Sequence, residues 1–266
     1  MRKLLLAGTT ALFILAGAFA AVGVGGAPAR AATAASFGAG AYPGPNPIGG
    51  GSGYVSSHGY TQATADYVAA TGAELKNALA AASSGQVVWV PGSAVIDISG
   101  LSGSLNVPAG VALASDRGTD GSPGGLIRFG GRGGVIFKRK SNSVVSGLRF
   151  HGANSGGSAW VLQSSGSVHT EVENCELANG GGGGVGFSED NIPWSSDWAT
   201  GADQKHHWVH HCYIHGFSQS GMGYGVWNFN SGVLIECNII GDCRHLIMGQ
   251  RTSLSSCGYD TNYEAR

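Results

Sequence analysis

The sequence predicts an all-β chain, a right-handed parallel β-helix (a solenoid of short strands) with a short N-terminal capping α-helix. Three observations carry that expectation. Glycine is abundant, with 47 in 266 residues, yet short Val-, Ile- and Leu-rich runs punctuate it as many strands joined by turns would. One segment near residue 71 carries a complete helix-start signal. Beyond residue 140 a six-residue pattern recurs four times.

The elements follow in chain order. Arg2 and Lys3 precede an uncharged apolar stretch from Leu4 to about Ala21, and Ala29-Arg30-Ala31 fits a small-residue cleavage site. This is the pattern of a secretory signal peptide over residues 1–31, and it places the product outside the cell. A membrane anchor is the competing reading, but no basic stop-transfer cluster follows. Removing 1–31 takes away Arg2, Lys3 and Arg30 and moves the formal net charge from −1 to −4. A mildly acidic product gives no electrostatic reason to bind nucleic acid, and no membrane association is expected once the leader is removed. A monomer is expected. Residues 32–65, rich in Gly, Ala, Ser and Pro, read as a flexible leader with no core of its own. The β-helix domain is expected over 66–266.

Thr71 and Glu74 form a T-x-x-E capping box, and Leu75 and Leu79 lie four apart on one face, so a helix is expected to about Ala82. Val87-Val88-Trp89-Val90 then reads as a buried strand, turned by Pro91-Gly92. Further on, VSGLRF (145–150), VENCEL (172–177), VHHCYI (209–214) and IECNII (235–240) superpose without gaps. Such a repeat suits parallel rungs whose like residues stack into ladders. The widest offset, between the second and third rows, requires an insertion between Gly180 and Lys205. An antiparallel sandwich is the alternative, but no two-residue hairpin turn of the Asn-Gly or Asp-Gly kind separates the rows. Cys175 and Cys212 occupy the same place in adjacent rows, as either a disulfide or a buried thiol stack. The chain carries five Cys, so at least one thiol stays free in a monomer.

The helix followed by GQVVWVPGSAVIDISG resembles the opening of pectate-lyase-like β-helix proteins, the pectin lyase fold superfamily, in which a short amphipathic helix plugs the solenoid end. The succession YGV (224–226), LIECN (234–238), RHLI (244–247) and YEAR (263–266) is similar to that of bacterial secreted right-handed β-helix proteins. Met248, Cys237 and Cys243 depart from that pattern. The resemblance runs from Tyr224 to Arg266 and speaks for fold more than for reaction. The paired aspartates and G-H-G of polygalacturonase-like hydrolases are absent, as are the W-x-D-H and R-x-P-x-x-R motifs of pectate lyases. Because Arg266 closes a segment that reads as entering a strand, the domain is expected to be C-terminally truncated.

Chemistry is expected on one lateral face, where insertions gather. The segment GGGGGVGFSEDNIPWSSDWATGADQ sets Glu189, Asp190, Asp197 and Asp203 beside Phe187, Trp194 and Trp198, carboxylates beside rings as a sugar site requires. A loop pinned to the wall by its tryptophans is the bland reading. His206, His207, His210, His211 and His215 crowd the next strand; structural roles are favoured over a zinc site, and one of them is left as a candidate base. Asp242, Arg244 and His245 lie together past a later strand, with Tyr224, Trp227 and Asn228 before it. Arg244, His245, Glu189 and Asp190 are the catalytic candidates, and Trp194, Trp198, Tyr224, Trp227 and His211 the substrate-binding ones. Abstracting a proton beside a uronate carboxylate needs a base and a positive group or Ca²⁺. The functional expectation is a carbohydrate-directed protein, a polysaccharide lyase or glycosidase, with a non-catalytic glycan-binding or adhesive solenoid as the alternative. No other cofactor or metal is called for.

Overall fold

A computed structural model of the chain describes residues 46–131, 133–153, 159–188, 207–229, 231–250 and 263–265. These belong to one compact unit, Pro43–Arg266. The expected signal peptide at 1–31 lies outside the described residues, as does Cys257.

Three parallel sheets form a β-solenoid. Sheet A contains β1 (Tyr67–Val68), β2 (Val87–Trp89), β5 (Ala112–Ala114), β8 (Val144–Ser146), β11 (Thr170–Glu173), β14 (His207–His210), β17 (Val233–Glu236) and β20 (Tyr263–Ala265). Sheet B contains β3 (Val95–Asp97), β6 (Leu126–Arg128), β9 (Arg149–His151), β12 (Glu176–Ala178), β15 (Tyr213–His215) and β18 (Ile239–Gly241). Sheet C contains β4 (Leu105–Val107), β7 (Gly134–Arg139), β10 (Ala159–Ser165), β13 (Gly183–Ser188), β16 (Tyr224–Phe229) and β19 (His245–Gln250). The chain visits A, B and C and returns to A one strand further on. Sheets B and C each hold 6 strands, so β2 to β19 make that many complete rungs.

The four-row register is the observed one. Val145, Val172, Val209 and Ile235 are direct partners in sheet A. Phe150, Leu177, Ile214 and Ile240 are direct partners in sheet B. Between them, Asn174, His211 and Cys237 have φ of 50, 51 and 56, and Gly147 has 67, so one left-handed residue turns each rung from A to B. The next place points inward: Leu148, Cys175 and Cys212 are fully buried. The two cysteines are free thiols: Cys175 Sγ donates to Val145 O of the preceding rung at 3.6 Å, and Cys212 Sγ lies 3.2 Å from His210 O and 3.6 Å from Val172 O. Burial first, and then the Cys175 thiol beside it, pushes the Cys212 thiol up, so it stays a protonated donor. Asn238 continues this column without an unsatisfied group, accepting from Cys212 N and donating to Val209 O, both at 2.8 Å.

Helix α1 (Gly72–Ala81) begins at Thr71 with the full capping box: Glu74 N donates to Thr71 Oγ1, and Glu74 Oε2 accepts from Thr71 N. Leu75 and Leu79 enter the solenoid core. The rungs upstream of residue 140 escape the sequence pattern because residues 115–125 separate β5 from β6, where later rungs need only two. The glycine run at 180–187 is also placed differently from expectation. It is no part of an insertion, because Gly183–Ser188 is β13, paired on both sides. The extra chain is therefore residues 189–206, between β13 and β14. Phe187, expected beside the acids, is instead fully buried beneath Arg139, whose guanidinium carbon lies 4.9 Å from its ring centre.

Residues 46–60 lie as a strap along the corner between sheets A and B. Gly49 N donates to Cys237 O at 2.8 Å, Gly51 N to Asn174 Oδ1 at 2.8 Å, and Arg117 Nη1 to Gly49 O at 3.2 Å. Gly50 is required here: its φ is +68, and a Cβ would sit 2.2 Å from His211 O. This part of the leader has no core of its own and buries Tyr54 against the solenoid instead.

Candidate functional site

The outer face of sheet C carries a strip of aromatic rings. Residues of successive rungs stand in direct register, so Trp160, Gly183, Tyr224 and His245 form one column, and Gln163, Gly186, Trp227 and Met248 the next. The glycines of β13 make the strip continuous. A Cβ at Gly183 would lie 2.3 Å from the Trp160 ring, and one at Gly186 3.1 Å from it. The indole of β10 therefore lies over β13 and reaches β16. Its centre is 5.6 Å from that of Tyr224, near-parallel at 9°, and 5.0 Å from that of Trp227. Tyr224 stacks in turn on His245 at 5.3 Å, and Trp227 on Phe229 at 5.4 Å. Offset pairs at these separations are favourable and hold the rungs in register. All of these rings remain partly or fully accessible.

Besides His245, the acidic or basic side chains in the described strands of sheet C are Lys138 and Arg139. Lys138 on β7 is exposed, as are Arg244, which precedes β19, and His245. The described strands of sheet C contain no Asp or Glu. Among the described residues no ion pair joins Arg244 to Asp242, and His245 stacks rather than caps a turn. The structure thus brings together Tyr224, Trp227 and His245; Arg244 is exposed and directly precedes His245. Glu189, Asp190, Trp194 and Trp198 lie outside the described residues; in sequence Glu189 follows directly on Ser188, the last residue of β13. Trp160 is the member that sequence reasoning missed.

His211 is not on this face. It sits in the A–B turn beneath Tyr54, with ring centres 5.0 Å apart, and its Nδ1 is 2.9 Å from Nδ1 of His210. Burial, and then His210, push its imidazole down to about 4. Around it, the outer face of sheet A holds a polar cluster closed by the strap. Glu173, fully buried, accepts from Tyr54 Oη at 2.6 Å, Ser56 Oγ at 2.6 Å and Ser146 Oγ at 2.5 Å. Glu171 meets His58 Nε2 at 3.1 Å and His210 Nε2 at 2.9 Å. Burial pushes the Glu171 carboxyl up, but the bonds from His210 and His58 override it and hold the group at about 2. His58, Glu171 and Glu173 bring one imidazole nitrogen and two carboxylates within 4.8 Å of one another. All of these atoms have protein partners, and the set falls short of the six or more oxygens that Ca²⁺ takes.

His207, His215 and His151 each meet a partner in the solenoid wall. His207 faces inward, its Nδ1 2.8 Å from Thr170 Oγ1. His215 and His151 flank Glu176 Oε1 at 3.4 and 3.0 Å. His206 lies outside the described residues.

Comparison with protein-family models, curated proteins and solved structures finds no match. Fold and surface define the class by themselves: a three-sheeted parallel β-solenoid with an aromatic strip on one sheet and a strapped carboxylate–histidine cluster on another.

Proposed function

We propose that this is a secreted, carbohydrate-directed right-handed β-helix protein of the pectin lyase fold, with α1 plugging its N-terminal end, that binds polysaccharide on the outer face of sheet C. The observation that carries the reading is the continuous strip Trp160–Tyr224–Trp227–His245 over the glycines of β13. Sugar rings present apolar faces that pack on aromatic side chains, and their hydroxyls suit polar groups such as Gln163. Lys138 and Arg244 favour an acidic polymer. Nucleic acid is disfavoured as a partner by the overall acidic balance. No helix among the described residues is long and apolar enough to cross a membrane.

Binding is the part of the reading that the strip itself supports; the described strands of sheet C carry no Asp or Glu. Lyase or glycosidase chemistry would draw its acid or base from Glu189 or Asp190, or from His245 with Arg244 neutralising a uronate. The test is affinity electrophoresis and calorimetry against neutral and uronic-acid polysaccharides, with spectrophotometry for unsaturated product. Binding that Trp160→Ala weakens by about tenfold is the expected result. Retention of all binding by Trp160→Ala and Trp227→Ala would overturn the assignment to sheet C.

A further inference from the structure

The strap is fastened in two chemically different ways. Over residues 46–56 every fastening is independent of pH near neutrality. Gly49 and Gly51 use backbone N–H groups, Asn46 closes the loop with two bonds to Val55, and Tyr54 and Ser56 donate hydroxyls to Glu173. Over residues 57–60 the link to the sheet is ionic, and the one other bond among the described residues is local, from His58 N to Ser56 Oγ at 3.1 Å. His58 Nε2 meets Glu171 Oε2 at 3.1 Å, and the Tyr60 ring stacks on His58 at 5.0 Å and 6°.

We propose that the His58–Tyr60 end of the strap is a pH-operated latch, closed on Glu171 at mildly acidic pH and opened as His58 loses its proton. The surrounding groups leave His58 as the strap's own switch. Glu171 on β11 is held at about 2 and stays an anion throughout. Glu173 beside it is committed to three hydroxyls. Tyr60 is pushed up to about 12 by burial first and then by Glu171 and Glu173; Tyr54 is pushed higher still by burial and Glu173. His211, at about 4, is already neutral in this window. His210 on β14 occupies the other oxygen of Glu171, and Glu236 on β17 accepts from Trp208 Nε1 at 2.9 Å. Arg117 is turned to Gly49 and Asn174.

The sign follows from linkage. The bond to Glu171 raises His58 above the ordinary imidazole value of 6.5, against the opposing effect of burial. Its contribution is therefore complete below 6.5 and is lost as pH rises through the raised value. Opening exposes Glu171 and His210 while residues 46–56 hold the strap in place.

Amide hydrogen exchange from pH 5 to 9, normalised to unstructured-peptide rates, reads the latch directly in the full chain. Protection at the His58 amide, which donates to Ser56 Oγ at 3.1 Å, should fall by about fivefold in a step centred above pH 6.5, with β11 and β14 unchanged. His58→Gln should remove the step, and Glu171→Gln should return the His58 ring titration, read by NMR, to its ordinary value. Should Glu171→Gln fail to fold, the exposed His58→Gln change carries the test alone. A flat profile in the wild type, a step that survives His58→Gln, or a step shared by β14 would overturn the proposal.

Discussion

Sheets A and C are built from the same rungs and the same register, yet their outer faces solve opposite problems. Sheet C stacks rings over a strand of glycines and leaves them accessible, with positive groups at its margins and no carboxylate in its described strands. Sheet A stacks Ser146, Glu173, His210 and Glu236 in one column and covers the middle of it with the strap. A buried carboxylate is tolerable only when its lone pairs are met, and three hydroxyls meet those of Glu173. Aromatic rings need no such cover. In the proposed reading the covered face stabilises and the open face binds.

The largest effect should come from breaking the covered face. Glu173→Ala leaves the Tyr54, Ser56 and Ser146 hydroxyls without their acceptor in a buried site. We expect a loss of about 3 kcal/mol or more in urea unfolding, with the m-value unchanged. A loss below about 1 kcal/mol would mean that the strap is held by its glycine contacts alone.

That column was open to view in the sequence. Ser146, Glu173, His210 and Glu236 are the second letters of the four aligned rows, and a polar letter recurring between apolar ones marks an outward ladder. Its partner was hidden, because Tyr54, Ser56 and His58 sit in a Gly- and Ser-rich stretch with no periodicity. Packing by single contacts on a distant wall leaves no local pattern. The rungs and their inward Cys column were readable because each A–B corner is only six residues long. Trp160 was not, because the third strand of each rung falls outside that corner, and because five successive glycines suppress the β signal that would place β13.

The open face gives the next effect. Trp160→Ala removes the ring that bridges β10 to β16, and affinity for a bound polysaccharide should fall by about tenfold, or roughly 1.4 kcal/mol. Gly183→Val should do the same without removing any ring, since its side chain would occupy the space of the indole. Equal affinity in Gly183→Val and wild type would show that the strip need not be continuous to bind.

The smallest effect compares the carboxylates that do face water. Glu171 and Glu176 are both held at about 2, Glu176 chiefly by the His151 hydrogen bond against burial, then by His215 and Arg117. Folded values depressed below the unfolded 4.5 contribute stability above that pH, lost as pH falls toward 2. Both side chains keep some solvent contact, so screening reduces the contribution to about 1 kcal/mol each. Unfolding midpoints of Glu176→Gln should therefore drop less steeply between pH 4.5 and 2.5 than those of wild type. The same substitution should leave polysaccharide affinity unchanged, because Glu176 lies on sheet B, away from the rings. A change in affinity there would show that the described strip is only part of a larger surface that turns the corner of the solenoid.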